Sequence, residues 1–132
     1  MKQFHHTVLV CLLLATGCAA SAIDAARIEF KRALSVEQST KTRFRDQAQR
    51  FAEANIRRIG VHTPAAQQWM AEFRARRVPV EEQIKRCEST IDDASELILL
   101  SDDRRAPQAA KSASSCVSAL RDMVAKLFDG GL

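Results

Sequence analysis

The chain has 132 residues, enough for one domain, with 20 Lys plus Arg against 16 Asp plus Glu and a formal net charge of +4. Hydrophobic residues make up 46% and charged residues 27%, too apolar a mixture for a wholly disordered chain. Four glycines, three prolines, no tyrosine and 5% aromatics argue against a sandwich or barrel, which needs many short strands and turns.

The first twenty-two residues read as a targeting segment. Met1–His6 carries Lys2 and no acid, Val8–Ala15 is a short apolar run, and the small residues Thr16 to Ala22 follow. This is the three-part pattern of a secretory signal, and the run is too short to span a bilayer. Two processing routes fit. Ala20-Ser21-Ala22 suits ordinary signal peptidase, which removes 1–22 and starts a single helical domain, 23–132, at Ile23. Leu14-Ala15-Thr16-Gly17-Cys18 also resembles a bacterial lipobox. Cleavage would then remove 1–17 and leave Cys18 lipidated, attached to a membrane at about 0.8 kcal/mol per buried methylene. Either route predicts the periplasm, free or anchored to the outer membrane on its periplasmic side, with secretion as the alternative.

Cysteine usage agrees with export. Cys11 leaves with the signal and Cys18 is removed or lipidated, so Cys87 and Cys116 remain as one pair in an oxidising compartment. A disulfide between them closes a loop of 28 residues, worth about 3.5 kcal/mol by chain entropy.

Sparse punctuation divides the rest into helical blocks with no strand-like alternation. The first covers about 24–59. Phe44, Ala48, Phe51, Ala52, Asn55, Ile56 and Ile59 recur at helical spacing, Arg57 and Arg58 suit the negative end of the helix, and Gly60 is the expected left-handed stop. Before Thr40 the pattern fades. Ser35 with Gln38 looks like a capping box, so the block reads as one long helix or as two split near 35. Leu34-Ser35-x-x-Gln38 is also similar to the Leu-Thr-x-x-Gln motif of a family of small helical periplasmic chaperones. It occurs once and covers five residues, and nothing is carried over from it.

Thr63-Pro64 caps and opens the second block, 64–78, with Ala66, Trp69, Met70 and Phe73 on its apolar face. After Pro79 a further block, 80–100, continues through Val80, Ile84, Cys87, Ile91, Ala94 and Ile98 in the same phase. That favours a kinked helix or two collinear ones, and Glu81 and Glu82 favour a fresh start. Ser101–Ala106 is a polar turn. Block 107–128 follows Pro107 with the stripe Ala109, Ala113, Cys116, Leu120, Met123 and Leu127. The predicted fold is an all-α up-down bundle of three to four helices, with the last two elements stapled by Cys87–Cys116.

The catalytic signatures searched for are missing from the sequence. Beyond the signal there is one histidine, His62, and there is no Cys-x-x-Cys, P-loop, dinucleotide fingerprint or Gly-x-Ser-x-Gly. No metal, haem or other cofactor is expected, since no axial pair or ligand set stands out among Met70, Met123 and His62. The charge pattern is more distinctive. Glu88, Asp92 and Glu96 recur at four residues with Asp93 beside them, a spacing at which like charges repel. The candidates for offsetting it are solvent, the Arg43, Arg50, Arg57 series of the first block, a basic partner or a cation. Residues 23–60 hold nine basic and five acidic side chains, residues 61–80 three and one, and residues 81–132 seven and ten. Arg74, Arg76 and Arg77 cluster beside Pro79 as a second candidate binding surface. Nucleic acid is not an expected partner, because export separates the protein from it and no aromatic stacking platform is visible.

Taken together, these features predict a non-enzymatic envelope protein that binds another envelope or secreted protein, of the inhibitor, immunity or secretion-accessory kind. A periplasmic helical chaperone is the first alternative. A small helical enzyme with an Arg/Glu pocket is the second.

Overall fold

A computed structural model describes the backbone of residues 3–129 and the side chains of residues 22–129. The side chains of the expected signal segment, Cys18 included, lie outside the described residues. Three helices make up the fold: α1 (Gln3–Ile59), α2 (Pro64–Leu99) and α3 (Ala106–Asp129). They run up, down and up, so α1 and α3 are parallel and α2 is antiparallel to both. The protein is an all-α three-helix bundle with a Cys87–Cys116 disulfide.

The buried positions explain why these segments associate. In α3 they are Ala106, Ala110, Ala113, Val117, Leu120 and Val124, alternating at four and three residues. In α2, Ala66, Phe73, Val80, Cys87 and Ala94 recur every seven. In α1, Ala26, Ala33 and Thr40 form one such series and Phe30, Glu37 and Phe44 a second. Apolar residues every 3.5 positions keep one seam facing its neighbours, the pattern of left-handed coiled-coil packing. Along α3 the buried line differs from the expected stripe. Ala113 and Leu120 are shared, but Ala109, Cys116, Met123 and Leu127 flank it half-buried.

Two boundaries that the sequence left open do not occur. Ser35 does not start a helix: α1 runs through it, with the Ser39 hydroxyl bonding the Val36 carbonyl and Thr42 bonding that of Gln38. Blocks 64–78 and 80–100 are likewise one helix, despite Pro79. A proline removes one donor and crowds the carbonyl four residues back. Here Ala75, Val78 and Pro79 are all exposed, so the carbonyl that loses its donor is on the side open to water. Phe73, Val80 and Cys87 hold the inner face in phase across the interruption.

The α1–α2 connection is as predicted. Gly60 has φ 104, its N–H bonds the Ile56 carbonyl, and the Thr63 hydroxyl caps α2 by accepting from Ala66 N at 3.1 Å. At the end of α2 the N–H of Ser101 bonds the Ile98 carbonyl and that of Asp102 bonds Leu97. This paired closure normally places glycine where Ser101 stands, at φ 52. The Asp102 carboxylate then accepts from the N–H groups of Arg104 and Arg105, leading into α3.

Three apolar layers stack along the axis. Ala26, Ala106 and Ala110 pack with Ile23, Phe30, Leu97 and Ile98 at the end where α1 enters and α2 turns into α3. The middle layer centres on Cys87, Val117 and Leu120. The third holds Ala48, Trp69 and Phe73 with Phe51 and Phe128. At about 1.5 Å per residue, the 36 residues of α2 span about 54 Å and the 24 of α3 about 36 Å. The α1–α2 hairpin therefore projects past the end of α3. Its root is an aromatic cluster in which Trp69 stacks on Phe73 at 5.1 Å and Phe51 meets Phe128 edge-on at 5.8 Å.

Candidate interaction surfaces

The two cysteines sit where α2 and α3 face each other, with Cα atoms 5.4 Å apart, inside the range a disulfide requires. Cys87 is fully buried and Cys116 is half-buried. The Gln83 amide closes over them, donating to the Cys116 carbonyl at 3.5 Å and lying 3.3 Å from its sulfur. The staple joins the middle layer to the rim of the bundle and carries no reactive thiol.

The acidic stripe of α2 separates into a paired part and a free part. Glu88 is held by Lys41 of α1, Nζ to Oε1 2.8 Å. Asp92, Asp93 and Glu96 are exposed and form no ion pair among the described residues. The Arg43, Arg50, Arg57 series does not reach the stripe. Arg57 pairs within α1 with Glu53 at 3.3 Å, while Arg43 and Arg50 line the outer polar face of α1 beside Asp46 and Thr42.

Lys41 also pairs with Glu37, at 2.7 Å. Glu37 occupies a core position with only 3% of its side chain exposed, next to buried Thr40. A carboxylate there is tolerable because the ammonium lies one turn away on the same helix. Hydrogen bonding to Glu37 first, and to Glu88 second, raises the Lys41 pKa above 10.5 by more than burial lowers it. Glu37, Lys41 and Glu88 thus bridge α1 and α2 beside Leu34 and Ile91, along a shallow open groove that also reaches Asp92. This triad was missed in the sequence because Glu37 and Lys41, four residues apart, have the spacing of any exposed helical ion pair. The seven-residue series through Phe30, Glu37 and Phe44 was the available signal.

The arginine cluster also divides. Arg74 and Arg76 are exposed as expected. Arg77 is half-buried and engaged within the fold: its guanidinium lies 5.5 Å from the Phe44 ring centre and 5.9 Å from that of Phe73, and it bonds Glu81 at 2.9 Å. It covers the aromatic layer as a cation over ring faces, with its stem against apolar surface. His62 is an exposed turn residue at φ 68. Among the described residues no group of three or more His, Cys, Asp or Glu side chains is placed to hold a metal ion. Among the same residues no helix is long and apolar enough to cross a membrane.

No protein-family model matches the chain, and neither does any curated protein or solved structure in the comparisons.

Proposed function

We propose that this chain is an exported cell-envelope protein whose stapled bundle binds another envelope or secreted protein through its charged faces. The observation that carries the reading is the Cys87–Cys116 disulfide. Such bonds persist in oxidising compartments, in keeping with the signal-like N-terminus. The binding half of the proposal draws on the separation of charge. The exposed acids Asp92, Asp93 and Glu96 stand free on α2, whereas Lys41 and Arg77 are engaged within the fold. A free acidic row suits a basic partner, and complementary charge steers encounter and register. No cofactor is part of the proposal.

The chaperone alternative calls for a continuous apolar face. The exposed large apolar side chains are instead divided among Ile28, Val61, Val78 and the pair Leu99–Leu100. The enzyme alternative calls for Arg and Glu converging in a cleft. Arg77 and Glu81 do meet, but against the aromatic layer.

The test is affinity capture from an envelope fraction with the oxidised full chain as bait, alongside an Asp92→Asn/Glu96→Gln variant. A partner retained by the parent and released by the variant, with binding weakened by salt, supports the proposal. Equal capture by both rejects the acidic face as the binding surface. Recovery of the native protein from the cytosol with Cys87 and Cys116 reduced rejects export.

A further inference from the structure

The end of the bundle where α2 turns into α3 carries the two most exposed large apolar side chains, Leu99 at 81% and Leu100 at 70%. They are adjacent in sequence and follow the last packed residues of α2, Leu97 and Ile98. The left-handed Ser101 and the carboxylate of Asp102 close the turn around them by backbone hydrogen bonds. Neither leucine belongs to an apolar layer of the bundle. Ile23 packs in the same layer as Leu97 and Ile98, so the chain that precedes residue 23 joins the bundle at this end.

We propose that this end is a bilayer-contact surface, with Leu99 and Leu100 entering the lipid interface beside the membrane-attached start of the chain. The inference rests on the export reading and on attachment through Cys18. Ile23 lies five positions after Cys18. Those five steps span about 7.5 Å as helix and no more than about 18 Å fully extended. A lipid on Cys18 therefore keeps the turn within reach of the headgroups, while the α1–α2 tip at Gly60–Thr63 lies at the far end of the bundle. An acyl anchor fixes a point but not an orientation. A second contact at the same end sets the bundle upright and presents the hairpin tip away from the membrane.

Asp102, Asp103, Arg104 and Arg105 of the turn and the nearby pair Asp24–Arg27, 3.1 Å apart, cancel in formal charge, and Asp93 and Glu96 in the groove beside Leu100 leave this end net negative. Contact is therefore driven by the leucines and not by attraction to anionic lipid, the opposite of a polybasic patch. The long stems of Arg104 and Arg105 can lie in the interface with their heads in water.

The full chain, made with its own leader in a bacterial host and purified in mature form, is tested by amide hydrogen exchange with and without vesicles. Phosphatidylcholine vesicles are compared with mixed phosphatidylcholine–phosphatidylglycerol vesicles, and mass spectrometry records the mature N-terminus. Exchange over residues 97–105 is expected to slow about tenfold with either lipid, with no change over 60–63. Leu99→Ser/Leu100→Ser should abolish the slowing while leaving the helical circular dichroism intact. Equal exchange with and without vesicles overturns the proposal. So does protection that needs phosphatidylglycerol, which would place the contact on the arginines. Protection only after adding an envelope protein assigns the surface to a protein partner instead and also overturns it. A mature start at Ile23 removes the tether and defeats this inference but not export. An unprocessed product defeats the export reading itself.

Discussion

Replacing Lys41 with methionine isolates the polar element of the core. Methionine fills much of the same volume and carries no charge. It would leave the Glu37 carboxylate, 3% exposed, without the ammonium that lies 2.7 Å away. Breaking a deeply buried ion pair costs about 3–5 kcal/mol. The Lys41 side chain is 22% exposed, so water can enter from the groove, and Glu88 at 47% exposure can be solvated alone. The expected loss is therefore about 2 kcal/mol, or a fall of about 7–9 °C in melting temperature for a domain of this size. Glu37→Leu/Lys41→Met removes the stranded charge as well and should return to within about 1 kcal/mol of the parent. Urea denaturation of the oxidised proteins, followed by circular dichroism, measures all three. The dependence on pH gives a second check. The folded-state pKa of Lys41 is raised above the ordinary 10.5, so its contribution is complete below that pH and disappears as pH rises through the higher folded value. The stability gap between parent and Lys41→Met should accordingly be flat from about pH 7 to 10 and narrow above about 10.5. A single variant as stable as the parent, or a double variant no better than the single, would refute the role given to the triad.

Three further outcomes concern the covalent and backbone constraints. Cys87 and Cys116 are 29 positions apart, so changing both to alanine should lower stability by about 3.5 kcal/mol, read as a lower urea midpoint that reductant no longer shifts. Gly60→Ala should destabilise by about 1–2 kcal/mol, because φ 104 suits only glycine and the added Cβ would lie 3.2 Å from Thr63 Cγ2. Ser101→Gly, also in left-handed backbone, should stabilise by about 0.5–1 kcal/mol, with differential scanning calorimetry deciding both signs.

The blocks of the chain were legible where large apolar residues mark the period. Phe44 to Ile59 and Val80 to Ile98 showed helical faces, and Gly60, Thr63 and Pro64 marked a stop and a start that the structure contains. The stretch of α1 over 26–40 was not legible as core, because its buried positions are Ala26, Ala33, Glu37 and Thr40, small or polar residues that leave no apolar stripe. Their burial follows from what stands opposite. Ala26 faces the alanines of α3, which permit close approach, and Glu37 is neutralised by Lys41 one turn along α1, which Glu88 of α2 holds from across the groove. The binding surfaces were half legible: the exposure of Asp92 and Glu96 agrees with a solvated row, but the capture of Arg77 by Phe44 and Phe73 joins residues far apart in the chain.

Local chemistry was sufficient to specify an all-helical chain, the cysteine pair and the turn at residues 60–63, because caps, positive φ and period act over a few residues. Whether Pro79 ends a helix, which series of α3 positions turns inward, and which charges remain free depended on neighbours brought close only by folding. A proline is tolerated when its lost hydrogen bond faces water, and Lys41, paired with Glu37 on its own helix, joins α1 to α2 only when packing brings Glu88 to it. Both conditions belong to the packed bundle and not to any one segment.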